Sequence, residues 1–132
     1  MSVERVNPPE LAAPKGFTHA VVASGTHVYL AGQTGMDASG AIVGGGIVVQ
    51  FRQALSNLLA ALAAAGGTPD RLAQLRVYIV DVEAYRAASR EIGAVWRELA
   101  GSDYPAMAGI GVARLWDAEA LVEVEGVAVL DG

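Results

Sequence analysis

The spacing of apolar positions changes along the chain, and each change predicts an element. Thr18–Ala23 and His27–Gln33 are short alternating runs joined by Ser24-Gly25-Thr26, which predicts a β-hairpin. Met36-Asp37-Ala38-Ser39-Gly40 reads as a turn, with Asp37 able to bond its own backbone and Gly40 free to take positive φ. From about Ile47 to Ala65 the step lengthens. Phe51, Leu55, Leu58 and Leu62 fall on one helical face, and Gly66-Gly67 ends that helix. Thr68-Pro69 starts a short helical turn through Arg71. Leu75–Val82, with Val77-Tyr78-Ile79-Val80 at its centre, predicts a strand buried on both faces. Asp81 is placed to cap a second helix, about Glu83 to Ala100, whose stripe is Tyr85, Ala88, Ile92, Trp96 and Leu99. Gly101 stops it. Strands at about Ala106–Leu115 and Ala120–Leu130 follow.

The predicted order is β-β-α-β-α-β-β in one domain over residues 1–132, with residues 1–15 as an extended, proline-containing arm that has room for one more strand. Two long helices cannot cover both faces of five or six strands, so they are expected on one face of an α+β fold. The last strand sharpens this. Val122, Val124, Gly126, Ala128 and Leu130 share a face suited to lie under helices. Leu121, Glu123, Glu125, Val127 and Val129 share the other, which is too apolar to be a solvated face and is expected to meet another copy of the chain.

Composition restricts the chemistry. Of 132 residues, 53% are hydrophobic and 17% charged, a balance that folds and leaves apolar surface for a subunit interface. Fourteen acids against nine bases give a net charge of −5, with no basic run, so neither nucleic acid nor an anionic membrane is an expected partner. With no cysteine and two histidines, no metal site and no thiol chemistry are expected. Met1-Ser2-Val3-Glu4-Arg5 does not read as a signal peptide, and glycines interrupt the longest uncharged stretch, so the expectation is cytoplasmic.

Glu123 and Glu125, about 7 Å apart along one strand face, raise each other's proton affinity and are candidates to move a proton or place water. The alternative is an acidic pair that discourages edge pairing. Gly32-Gln33-Thr34-Gly35 offers close approach to backbone N–H groups, or simply ends a strand. Gly44-Gly45-Gly46 lacks the lysine and spacing of a phosphate cradle. His19 suits either a proton shuttle or a satisfied structural role, His27 faces solvent, and Trp96 and Trp116 read as core anchors.

Several strings, in order, resemble the Rid (reactive intermediate deaminase), YjgF or L-PSP family. They are Phe17-Thr18-His19-Ala20-Val21, Ala31-Gly32-Gln33, the helix string Gln50 to Leu58, Ala64-Ala65-Gly66, Val77 to Asp81, Tyr104-Pro105-Ala106, Val112-Ala113-Arg114-Leu115 and Val122 to Val129. The resemblance implies a chorismate-mutase-like fold and a homotrimer with three intersubunit clefts. It also implies cofactor-independent hydrolysis of small imines or enamines, with Glu123 handling water. It departs at two points. Met107 stands where the family's carboxylate-gripping arginine is implied, and Phe17 where a tyrosine is. A bidentate arginine–carboxylate contact has no methionine substitute. The implied ligand is therefore small and largely uncharged, bound by Phe17, His19, Gly32, Gln33, Met107 and Gly109, with Trp116 as a further apolar wall. A non-catalytic binding protein on the same scaffold is the second expectation. The acidic balance disfavours the ribonuclease role attached to the family, and chorismate chemistry would need cations that this cleft lacks.

Overall fold

The computed structural model describes residues 3–132. Nine principal elements follow one another: β1 (Glu4–Val6), β2 (Ala20–Val22), β3 (Thr26–Thr34), α1 (Ile47–Ala64), β4 (Leu72–Ile79), α2 (Val82–Ala87), α3 (Ser89–Ala100), β5 (Ala106–Gly111) and β6 (Val122–Leu130). A 3-10 turn at Pro69–Arg71 precedes β4. The fold is α+β. Its main sheet runs β3-β6-β4-β5, antiparallel except for the β4–β5 pair, while β1 and β2 form a separate antiparallel ribbon. A parallel bridge from Thr18 to Ala106 ties the ribbon's approach to the β5 edge.

The expected hairpin is therefore corrected. β2 pairs with the N-terminal β1, and β3 pairs with β6 instead. Gly25 at the junction has φ 143°, and a Cβ there would stand 1.9 Å from the Leu130 carbonyl oxygen, so only glycine fits where the chain enters the β6 pairing. Sequence-adjacent strands lost to a long-range partner because β6 offers Val124, Gly126 and Ala128 to Gln33, Leu30 and Val28. Strand β4 spans 72–79 and is buried on one face only, since Gln74 is exposed and Arg76 and Tyr78 are half-buried. β5 stops at Gly111, four residues before the expected Leu115. The second helix is two, broken at Ala88 with φ −97° and ψ 12°.

Other local expectations hold. Asp81 accepts a hydrogen bond from the Ala84 N–H at 3.0 Å and caps α2. Gly66, at φ 94°, ends α1: its N–H bonds the Ala63 carbonyl while the Gly67 N–H joins the Ala65 N–H on that of Leu62, so these end carbonyls are satisfied. The Asp37 carboxylate accepts from the Ser39 hydroxyl and then from the Ala41 and Ser39 N–H groups, which hold its pKa below the ordinary carboxylate value.

Both α1 and α3 cover the same face of the sheet. Phe51, Leu55, Leu58 and Leu62 of α1 meet Leu72, Leu75 and Val77 of β4 and Val122 and Val124 of β6, all essentially solvent-free. Each such side chain contributes about 1.5–3 kcal/mol on burial. Gln50, also buried, clamps the start of α1 to the β5–β6 connection. Its amide N donates to the Glu119 carbonyl at 3.0 Å and its oxygen accepts from the Leu121 N–H at 2.8 Å. Trp96 anchors the core and donates to the Asp103 carbonyl, whereas Trp116 is 91% exposed and anchors nothing.

Candidate functional site

Strand alternation sends the chain's chemistry to two places. On the face away from the helices, Glu123 sits across from Tyr78 on β4 and Thr34 on β3. A register shift between Leu30 and Gln33 inserts one extra residue into β3 beside it. There the Glu123 carboxylate lies against Gly32. A Cβ at position 32 would stand 2.1 Å from Glu123 Oε2, so only glycine permits the approach. Burial, and secondarily the Glu125 charge, raise the Glu123 pKa above the ordinary carboxylate value. Glu125 accepts a hydrogen bond from the Tyr78 hydroxyl and lies 3.9 Å from Arg76 Nη1. That bond, followed by burial, pushes the Tyr78 phenol up.

On the helix side, Met107 and Gly109 line up with Leu75 and Val77 of β4. They open onto a continuous crevice between β5, the residue 15–17 segment and the α2–α3 pair. One part, about 180 Å³, is walled by Phe51, Tyr85, Ile92, Gly93, Trp96 and Met107. The other, about 300 Å³, is walled by Phe17, Val77, Tyr85, Met107 and Gly109. Gly16, Tyr85 and Met107 belong to both. Burial pushes the Tyr85 phenol up to about 12, so it is a neutral donor at any working pH.

Of the residues singled out from the sequence, the structure brings Phe17, Met107 and Gly109 together in the crevice, and Gly32 together with Glu123 on the opposite face. Gln33 goes elsewhere. It pairs with Val124 and lines a shallow hollow with Met36, Gln53 and Asn57 on the α1 side. His19 stacks edge-on against Phe17, and its Nε2 is 2.8 Å from the Ala12 carbonyl, so it braces the N-terminal segment. Arg114 donates to the carbonyls of Leu115 and Trp116, which commits its guanidinium to its own loop. Sequence reasoning missed Tyr85 and Gly93 as cavity walls and Tyr78 and Arg76 as partners of Glu125. The signal for the first pair was a glycine interrupting the Tyr85–Ile92–Trp96 stripe. For the second it was the polar alternation Gln74, Arg76, Tyr78.

Three comparisons bear on these observations. The model of a family described as Endoribonuclease L-PSP matches residues 8–130. The 2-iminobutanoate/2-iminopropanoate deaminase of Capra hircus is 35% identical over 119 residues, 89% of this chain and 82% of that protein. The human protein of the same name is 31% identical over 114 residues, 86% of this chain and 79% of its own. Among solved structures, the Rid-family protein YyfB of Yersinia pestis superposes with a TM-score of 0.88 at 36% identity, covering 98% of this chain and all of that one. RidA from a Psychrobacter species superposes at 0.69 with 28% identity, over 90% of this chain and 92% of its own. With its sheet, its outer helices and nearly its whole length matched, the chain belongs to the Rid/YjgF/L-PSP family.

Proposed function

We propose that this protein is a deaminase-type hydrolase of a small imine or enamine, acting without a cofactor in a cleft between copies of a homotrimer. The observation that carries the reading is the Glu123 carboxylate, pressed against Gly32 and partly withdrawn from water, with raised proton affinity. Such a group serves both halves of an imine hydrolysis. It takes a proton from water as the oxygen bonds to the C=N carbon. With the substrate as its iminium, this gives a neutral carbinolamine; the carboxyl then returns the proton to the carbinolamine nitrogen, and as the C–N bond breaks the carboxylate takes the hydroxyl proton, leaving a carbonyl compound and ammonia. Relatives named as 2-iminobutanoate/2-iminopropanoate deaminases support the reaction class.

Assembly is part of the reading. Glu123 and Met107 lie on opposite faces of one sheet, so a site using both draws them from different copies. The sheet face around Glu123 carries the exposed Tyr29, at 76% exposure, and Ile110 beside the half-buried Val127, an apolar set that a neighbouring copy would bury. The substrate differs from the relatives' 2-imino acids. Met107 supplies no positive charge, Arg114 is engaged elsewhere and Lys15, the one cation on the crevice lining, is exposed, so a carboxylate seated beside Met107 has no buried cationic partner among the described residues.

The test is ammonia release from imines generated in place, with and without Glu123→Gln. Turnover should fall by roughly 10²–10⁴-fold, the usual contribution of a general acid–base, while ligand binding persists. Unchanged turnover sinks the role of Glu123. Ligand binding with no turnover in the parent protein favours a non-catalytic binder, the reading that the missing cation supports. Light scattering should give three copies.

A further inference from the structure

Gly93 lies in the interior of α3, where glycine costs about 1 kcal/mol relative to alanine. Neither backbone nor packing requires it. Its φ is not positive, and a Cβ there would meet nothing nearer than Arg97 Nη1 at 3.5 Å. Gly93 lines the crevice together with Ile92, Trp96 and Met107, and without a side chain it takes up none of that space. The remaining walls are almost wholly hydrocarbon and aromatic. Trp96 stacks on Tyr104 with ring centroids 5.3 Å apart, and Phe51 meets Tyr85 edge-on at 6.2 Å. Polar groups are few. The Ser89 hydroxyl is already bonded to the Arg86 carbonyl, and Lys15 is exposed at the mouth. The Tyr85 ring, by contrast, packs against the core and meets Phe51 edge-on, while its hydroxyl has no hydrogen-bond partner among the described residues.

We infer that this crevice selects ligands by an uncharged aryl or branched aliphatic group seated over Gly93, with the Tyr85 hydroxyl donating to a neutral acceptor beside that group. The inference deepens the proposed function, resting on the crevice as the substrate-binding half of the site. Size fits the class: an apolar cavity of about 150 Å³ holds a benzene ring, and this part of the crevice measures about 180 Å³. Charge fits too, since no lining side chain except the rim lysine pairs with a carboxylate. Gly93 is then a specificity-determining position, because its side chain sets the depth available.

Phenylacetone, neutral with one carbonyl acceptor, is the probe, and 2-oxobutanoate is the charged comparator. Both are titrated into the intact protein while the Met107 and Ile92 methyl resonances are followed, with Met36, which lines the separate Gln33 hollow, as internal control. Phenylacetone should shift Met107 and Ile92 and leave Met36 still, and it should bind more tightly than 2-oxobutanoate. Gly93→Leu should weaken it by about tenfold or more, the scale on which a hydrophobic pocket discriminates, and Gly93→Ala should weaken it less. Tyr85→Phe should weaken it several-fold. Equal binding of the two compounds, or phenylacetone binding unmoved by Gly93→Leu in a variant with native circular dichroism, overturns the inference. The readout is independent of turnover, because phenylacetone is a ketone that is bound and not deaminated, so a failure of catalysis and a failure of this selectivity are separate results.

Discussion

Strand β6 serves two regions that differ in almost every physical respect. Toward the helices it presents Val122, Val124 and Ala128, each 0% exposed, to Leu55, Leu58 and Leu62. Toward the other side it presents Glu123 and Glu125, half-buried, with Tyr78 and Arg76 as neighbours. The first region is where the fold's free energy is concentrated, because burial of apolar area dominates. The second holds titratable groups whose state depends on what covers them. A single backbone segment thus couples a rigid support to an adjustable surface, and a residue shift of one would exchange them.

Four changes break or sharpen that contrast. Leu58→Ala, deep on the helix side, should cost about 2–5 kcal/mol in urea unfolding at fixed protein concentration, the largest effect expected. Gln50→Ala should cost about 1–3 kcal/mol, because it orphans the Leu121 N–H and the Glu119 carbonyl together. A loss as small as that of an exposed polar residue would mean that water replaces the clamp. Tyr78→Phe on the open face should change stability by no more than about 0.5 kcal/mol, yet shift the Glu125 carboxyl resonance in an NMR titration. The smallest effect concerns pH. The folded Glu123 pKa is raised above its unfolded value, so its stabilising contribution is complete below the unfolded pKa of 4.5 and is lost as pH rises through the folded value. Glu123→Gln should therefore gain on the parent between pH 4 and neutrality, with the two curves parallel below about pH 4. A variant that loses ground over that interval contradicts the assigned direction.

Much of the helix side was legible beforehand. The Phe51–Leu62 spacing, the Gly66-Gly67 stop and the Asp81 cap are local rules, satisfied within a few residues of where they are written. The strand pairing was not. Thr18–Ala23 and His27–Gln33 look like a hairpin because turn chemistry is local, but β3 found β6, about a hundred residues away. The break at Ala88, where the backbone turns to φ −97° and ψ 12°, was hidden because the stripe through Tyr85 and Ile92 continues across it.

The amino-acid order alone determined the helical stretches apart from the break at Ala88, the Gly66 and Asp81 caps, the two-faced last strand and the family to which these belong, since each depends on spacing that the chain carries in itself. Tertiary structure decided that Phe17, Tyr85, Gly93 and Met107 share one crevice, that Gln33 faces away from it, and that Glu123 lies across the sheet against Gly32. The physical reason is register. Which residues meet across a sheet is fixed by pairing between distant strands, where a bulge of a single residue redirects a side chain from one face to the other.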